Sequence, residues 1–566
     1  MKFLNIFILS ISSLVLYNCK ENNSTENTNT IERPNIIFIL ADDYGIMDSQ
    51  AYAEKFTGVS PDSMFYETPN INRLVEEGTS FSQAYANQLC SPTRASILTG
   101  MYAGRLGLTT AMPPKKTYYN QKVEAPKGYY IHDVFEHKDN GILIEQALIN
   151  GFSNSAVPSG DTLDKGQDVL SISEALKGYN SGFIGKWHVG GFGAKGYQPE
   201  DQGFEPIAWF DAGGSPYYNW KGAWNNDSHK LFPKLTPETF DIGDSGKDTK
   251  EEYLTDALTI QALHFIEEKN KVKDKPFFLY FSHFAIHSPY KGKEDEIAYF
   301  EEKETLGWNN HKDPVYASMI KSLDRSVGAI LKKLEELDIE ENTLVVFMSD
   351  NGGIDSKITP RGDGTDNSPF LGGKACLTEG GIRVPLVFRW KGKIASKKWV
   401  DIPVDCTDIY PTILEAAGFD TKEIISENKL DGESLMALIE DTKNEKNSYK
   451  KTTHYWHYPF NVIYKNPLEP LPLTPHSAIR EGDYKLIFDW YGRYYLYNIQ
   501  LDPFEKTNLA ESNPDLTHKL FNKLMNWLNH NVEKRYWPTL NPDYNPKKEA
   551  RNVPFIDYFS ENKSAL

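Results

Sequence analysis

Three uninterrupted apolar runs constrain this chain more than any other feature: Asn35–Leu40 (NIIFIL), Pro276–Phe281 (PFFLYF) and Thr343–Met348 (TLVVFM). None alternates apolar with polar residues, so each reads as a strand covered on both faces, the situation of a parallel strand between layers of helices. Gly182–His188 reads as a further strand running into a polar loop, and Leu386–Phe388 as another. Helical spacing lies between them. Tyr253 to Lys269 places Leu254, Ala257, Leu258, Ala262 and Ile266 on an apolar face, and Val315 to Leu334 does the same with Met319, Ile320, Leu323, Val327 and Ile330. Thr68–Gly78 begins with Pro69 and ends at a glycine, and Asp408–Gly418 also stops at a glycine. The pattern predicts an α/β fold with a large mixed, mostly parallel sheet flanked by helices.

The character changes after about Glu445. Ser477–Arg480, Tyr484–Phe488 and Tyr494–Asn498 read as short antiparallel strands, and Asn513 as the cap of a last helix with Leu516, Leu520, Leu524, Trp527 and Leu528 on one face. A smaller C-terminal α+β domain with a short antiparallel sheet is expected. The chain divides as residues 1–18 signal peptide, 19–33 tether, 34–445 catalytic domain, 446–540 C-terminal subdomain and 541–566 tail. Lys115 to Gly166 reads as loop over the sheet. No internal repeat is visible.

Lys2 followed by the apolar Phe3–Leu16 has the form of an export signal, too short to span a bilayer. Cys19 follows, then a polar stretch rich in Asn, Ser, Thr and Glu that suits a flexible spacer. The four cysteines, Cys19, Cys90, Cys376 and Cys406, make neither a disulfide framework nor a zinc-type pair; whether Cys376 and Cys406 pair is open. The formal net charge of −17 argues against nucleic-acid binding, which needs a basic footprint. An anionic substrate would need a local basic pocket.

Two of the buried strands end in oxygen ligands. Asp42-Asp43 follows the first, and Asp350-Asn351-Gly352-Gly353 the one at Thr343–Met348. In open parallel sheets the carboxyl ends of the strands form the ligand crevice, so residues far apart in the chain can meet there around a hard cation. Lys186 and His188 alternate and are expected on one side of an extended segment. Cys90-Ser91-Pro92-Thr93-Arg94 opens a helix, with Ile97 and Leu98 on its apolar face and Gly100 at its end. Free N–H groups there favour an anion and a reactive cysteine.

Cys-x-Pro-x-Arg followed by a small-residue helix resembles the signature of type I sulfatases, members of the alkaline phosphatase superfamily. The resemblance extends in order over about Pro34 to Leu528. It implies an alkaline phosphatase-like sheet. It also implies that a separate maturation enzyme oxidises Cys90 to Cα-formylglycine (3-oxoalanine), whose hydrate is the nucleophile. By the same resemblance one calcium ion is held by Asp42, Asp43, Asp350 and Asn351 with residue 90 close by. Arg94 and Lys186 would hold the diol and a sulfate oxygen, His188 would take the diol proton, and His287 with Lys374 would serve the sulfate and the leaving oxygen. His454 and His457 are candidate substrate contacts. Cys19, at the end of the export signal, resembles a lipoprotein lipidation site. That implies a periplasmic or surface protein of a Gram-negative bacterium, attached to the outer membrane through a lipid anchor alone. The expected partner is a sulfated oligosaccharide of an algal polysaccharide such as ulvan, carrageenan or fucan. A phosphatase or phosphodiesterase of the same superfamily and a non-catalytic carbohydrate-binding lipoprotein are the alternatives.

Overall fold

The computed structural model describes residues 33–111, 130–135, 145–149, 170–189, 199–210, 217–218, 253–304, 309–359, 362–421, 424, 430–440, 449–459, 462–469, 472–490 and 492–538. The expected export signal, Cys19, the tether and the tail lie outside these residues.

The central sheet has eight strands: β1 (Asn35–Ala41), β2 (Thr79–Phe81), β3 (Asn180–Lys186), β4 (Glu205–Phe210), β5 (Phe277–Ser282), β6 (Thr343–Ser349), β7 (Leu386–Arg389) and β8 (Lys398–Val400). Their spatial order is β8-β2-β7-β6-β1-β5-β3-β4. All pairings are parallel except those of β7, which runs against both β6 and β2. The mostly parallel sheet expected from the continuous apolar runs is present, and β1 shows why they are continuous. Ile36, Phe38 and Leu40 enter one core while Ile37, Ile39 and Ala41 enter the other, all at 0% exposure. Strand residues alternate between faces, so a strand with a core on each side has no polar face to show.

One face is covered by α1 (Pro69–Glu77), α3 (Leu254–Asn270) and α4 (Pro314–Glu336). Asp313 caps α4 with its side chain, accepting from the N–H groups of Val315 and Tyr316. The other face carries α2 (Cys90–Thr99) and α5 (Ile409–Ala416). Its core continues into a four-stranded antiparallel sheet, β9 (Thr453–Tyr458), β10 (His476–Glu481), β11 (Tyr484–Asp489) and β12 (Arg493–Asn498), covered by α6 (Pro514–Asn531) through Leu520, Leu524 and Leu528.

Three local expectations differ from the structure. Within 115–166, the described segments Tyr130–Phe135 and Glu145–Ile149 pair antiparallel rather than forming loop alone. Asn513 stands at the start of α6, but its side chain makes no capping hydrogen bond. The extended segment of β3 ends at Lys186, and His188 adopts a left-handed backbone with φ 60°. The alternation that would place Lys186 and His188 on one side therefore does not carry past the strand end.

Gly185 decides where Lys186 sits. Its φ is +103°, and a Cβ there would lie 1.7 Å from the Ser282 carbonyl oxygen on β5. Gly185→Ala should destabilise the protein by about 3 kcal/mol or more, because strain and a backbone clash coincide. A thermal melt reads this directly; an unchanged midpoint would refute the account of β3.

Candidate active site

Because β1, β2, β3, β5 and β6 share one direction, their C-terminal ends open on one edge of the sheet. Because β7 is antiparallel, the loop before it opens on that edge as well. Asp42-Asp43 leaves β1, Lys186 ends β3, His287 follows β5, Asp350-Asn351 leaves β6, Lys374 precedes β7 and Cys90 follows β2 on the first turn of α2. The ladder continues past the strands and fixes these loops. Asp42 N–H donates to the Ala285 carbonyl (2.8 Å), Ile286 N–H to the Asp42 carbonyl (2.7 Å) and Asp350 N–H to the Ala41 carbonyl (3.1 Å). The Lys374 loop is stitched to both sides of the site: Lys374 N–H donates to Gly353 (3.0 Å) and Ala375 N–H to Gln88 (2.8 Å). Gly352 allows this approach, since a Cβ there would lie 1.9 Å from the Gly380 oxygen. Asp43 and His188 (both φ 60°) and Ala375 (φ 75°) hold left-handed backbones, so strain collects around the site.

The side chains form a buried ionic network. Arg94 grips Asp350 Oδ2 through Nη2 (2.7 Å) and Nε (3.0 Å), and its Nη1 donates to the Lys186 carbonyl (2.8 Å) and to Ser282 Oγ. Lys186 Nζ donates to Asp42 Oδ2 (2.6 Å), and Lys374 Nζ lies 2.7 Å from Asp43 Oδ1 and 2.8 Å from Oδ2. His287 Nδ1 is 2.6 Å from the Ser288 carbonyl. A carbonyl only accepts, so Nδ1 carries the hydrogen and Nε2 faces Asp43 Oδ2 at 3.6 Å. Cys90 Sγ lies 3.9 Å from Asp43 Oδ1.

Burial would raise the Asp43 carboxyl, but Lys374, His287 and Lys186 together outweigh it and hold it below the ordinary carboxylate range. Asp350 is pushed up to about 6 by burial and by Asp42, against the pull of Arg94 and Lys186. Burial and then Lys374 push His287 down to about 3. Burial also drives the Cys90 thiol well above its usual range, despite Lys186 and Lys374. The helix N-terminus does not make Cys90 a thiolate; as a thiol it is a poor nucleophile.

The residues fit a cation. Ligand atoms of Asp42, Asp43, Cys90 and His287 lie within 4.8 Å of one another. Asp42 Oδ1 and Asn351 Oδ1 are buried acceptors without a hydrogen-bond partner. An unpaired buried polar atom is costly, and a carboxylate oxygen and an amide oxygen left over beside the Asp43 carboxylate are what a hard cation would satisfy. Asn351 donates from Nδ2 to Asp43 Oδ1 (2.8 Å) and to the Gly352 carbonyl (2.9 Å), which leaves its Oδ1 as the acceptor without a partner.

His188 is buried, two residues beyond Lys186. His454 and His457 are placed elsewhere. Both are buried on β9, where His454 Nδ1 meets Asp405 Oδ2 (2.7 Å), and His457 meets Ser477 Oγ (2.8 Å) and the Tyr536 carbonyl (2.9 Å). The structure ties both rings to internal partners and not to the groups around Cys90. Cys376 and Cys406 are buried free thiols and do not pair. Sequence reasoning missed two supports. Ser282, which donates to the Lys186 carbonyl (2.7 Å), was legible as a polar residue closing a buried strand. Tyr217, whose hydroxyl donates to the Phe284 (3.0 Å) and His287 (2.9 Å) carbonyls, stands in a stretch without periodicity and carried no signal.

The sulfatase family profile matches residues 34–126 and 114–419. The chain belongs to the sulfatase family. A second profile, the C-terminal region of N-sulphoglucosamine sulphohydrolase, matches residues 372–534 of this sulfatase. A sulfatase of Formosa agariphila is 30% identical over 539 residues, covering 88% of this chain and 89% of its own. Human N-acetylgalactosamine-6-sulfatase is 29% identical over 414 residues, covering 72% of this chain and 66% of that protein. The crystal structure of Ps i-CgsB in complex with k-i-k-neocarrahexaose superimposes with a TM-score of 0.64 at 27% identity, covering 89% of this chain and 94% of the other. The fold is that of the alkaline phosphatase-like sulfatases, and the protein is an enzyme that hydrolyses sulfate esters.

Arg94→Met would leave Asp350 buried without its partner. The expected cost is about 3–5 kcal/mol of stability. Urea unfolding of metal-free protein measures it, and a loss below about 1 kcal/mol would mean that Arg94 does not hold the site together.

Proposed function

We propose that this sulfatase removes sulfate from a sulfated carbohydrate, an oligosaccharide of an algal polysaccharide, using formylglycine made from Cys90 by a maturation enzyme and one calcium ion. The observation that carries the chemistry is Cys90 Sγ on the first turn of α2, 3.9 Å from Asp43, beside the buried network that pairs Arg94, Lys186 and Lys374 with Asp350, Asp42 and Asp43. Carrageenan leads among the polysaccharides because the similar Ps i-CgsB structure holds a neocarrahexaose; ulvan and fucan follow.

Charge bookkeeping supports an anionic substrate. Asp42, Asp43 and Asp350 face Arg94, Lys186 and Lys374, three charges against three. A divalent cation at the unpaired oxygens would leave the site two positive charges in excess, in a chain whose overall charge is −17. When present, the cation draws electron density from the sulfate oxygens and the hydrated formylglycine supplies a nucleophilic hydroxyl. Arg94, anchored on Asp350, and Lys186 hold the residue-90 side chain and a sulfate oxygen. His287 and Lys374 serve the leaving sugar oxygen together, with Lys374 supplying the proton because His287 is neutral and holds its hydrogen on Nδ1. His188 would serve as the base toward the residue-90 side chain. All the oxygen donors are hard, which favours calcium over zinc.

We also infer export and lipid anchoring, supported by the order of Lys2, the apolar Phe3–Leu16, Cys19 and the polar spacer. This places the enzyme at the periplasm or outer-membrane surface of a Gram-negative bacterium, where polysaccharide fragments arrive.

Protein co-expressed with a maturation enzyme should release sulfate from carrageenan, ulvan or fucan oligosaccharides. Cys90→Ala should release none, and a chelator should abolish release until calcium is returned. Release by Cys90→Ala, or release indifferent to the chelator, would overturn the chemistry. Full-length protein in a Gram-negative host should incorporate labelled palmitate, and Cys19→Ala should not. Equal labelling of the two would refute the anchor.

A further inference from the structure

Lys485 stands on β11 of the C-terminal sheet, yet its ammonium ends on the loop that carries Lys374. Nζ donates to the Leu377 carbonyl (3.0 Å) and to Glu379 Oε1 (2.6 Å), and lies 2.7 Å from Glu505 Oε1. Glu505 Oε2 accepts from the Glu379 N–H (2.7 Å). Glu379 Oε2 accepts from Arg383 Nε (2.6 Å) and from the Tyr85 hydroxyl (2.8 Å). All five residues are buried.

Two backbone links carry this clamp to Lys374. Leu377, whose carbonyl Lys485 holds, lies three residues after it. Glu379 opens a single helical turn, Glu379–Ile382, whose next two residues are glycines pressed onto the Lys374 loop. A Cβ on Gly380 would lie 2.3 Å from the Gly372 oxygen, and one on Gly381 would lie 2.4 Å from the Gly373 oxygen and 2.2 Å from the Cys376 oxygen. The backbone on both sides of Lys374 therefore rests on the turn that Lys485 grips.

Apolar side chains of the same volume would fill the space around Lys485 at equal or lower cost in stability, because each buried charge loses its hydration. They could not hold a carbonyl and a carboxylate at fixed distances and directions, as an ammonium with three donors does. The clamp is thus better suited to fixing geometry than to adding stability.

We propose that Lys485 is a positioning residue: its bonds to Leu377 and Glu379 fix the loop so that the Lys374 ammonium meets the oxygen that leaves with the sugar. The inference rests on the role given above to Lys374. Its effect is greatest for a poor leaving group, since a sugar oxygen needs its proton in the transition state and a 4-nitrophenolate does not.

The test compares matured wild type, Lys485→Met, Lys374→Met and the double variant on two substrates, an oligosaccharide that the wild type desulfates and 4-nitrophenyl sulfate. In Lys485→Met the ratio of kcat/KM for the oligosaccharide to that for the aryl ester should fall about tenfold. A purely structural loss would lower both rates and leave the ratio alone. The double variant should show the ratio of Lys374→Met, because Lys485 acts through Lys374. Glu505→Gln keeps an acceptor for the Glu379 N–H and loosens only the hold on Lys485; it should lower the ratio about threefold and decides the matter where Lys485→Met does not fold. A ratio in Lys485→Met within about twofold of wild type, or an unchanged ratio in Glu505→Gln where Lys485→Met does not fold, overturns the positioning role. A further fall in the double variant below Lys374→Met overturns it too. An unchanged ratio in Lys374→Met overturns the role of Lys374 and this inference with it. A wild type that hydrolyses the aryl ester but no oligosaccharide overturns the carbohydrate reading alone; phenyl sulfate, with the poorer aryl leaving group, then takes the oligosaccharide's place in the same comparison.

Discussion

Charge that is taken out of water must be paired, and the site depends on that constraint. Asp42, Asp43, Asp350, Arg94, Lys186 and Lys374 are all under a tenth exposed. Unpaired, each would carry a desolvation penalty of several kcal/mol. They are tolerable because each acid has a base within contact and because Arg94, with its planar set of donors, bridges three strand ends at once. Among the described residues this pairing leaves the acceptors Asp42 Oδ1 and Asn351 Oδ1 over, and a cation would satisfy both.

Such a network needs backbones that do not move, and the sheet provides them. Parallel strands with a core on each face are held from both sides, and their ends deliver ligands from segments hundreds of residues apart. The loop bearing Lys374 is the weaker member, since it arrives from outside the parallel set. It is held from the far side by the C-terminal sheet. Lys485 on β11 reaches Glu379 (2.6 Å), which also accepts from Arg383 (2.6 Å) and Tyr85 (2.8 Å). All four residues are buried. The smaller subdomain thus acts on the chemistry through the loop that precedes β7, while His454 and His457 are occupied in its own packing.

Much of this was legible in the chain. Continuous apolar runs announced strands covered twice, and acids directly after two of them announced a ligand edge. Cys90, Arg94, Lys186, His287 and Lys374 were recoverable because a motif and a strand end each mark a place in the fold. The reading failed where a residue's role depends on what lies across space. The polar, aromatic stretch around His454 and His457 resembles a binding surface in sequence, yet in the fold their rings bond Asp405, Ser477 and Tyr536. The expected alternation of Lys186 and His188 failed for a local reason, a left-handed turn that residue type alone does not announce.

The sequence by itself determined the kinds of element and the sulfatase family, because periodicity and motif spacing are local properties that a linear chain displays. Only the tertiary structure decided the rest. It showed that β7 runs against its neighbours and so turns Lys374 toward Cys90. It showed which buried oxygens remain unpaired. Those facts depend on which groups meet after the chain has folded, and pairing across space is not written in the order of residues.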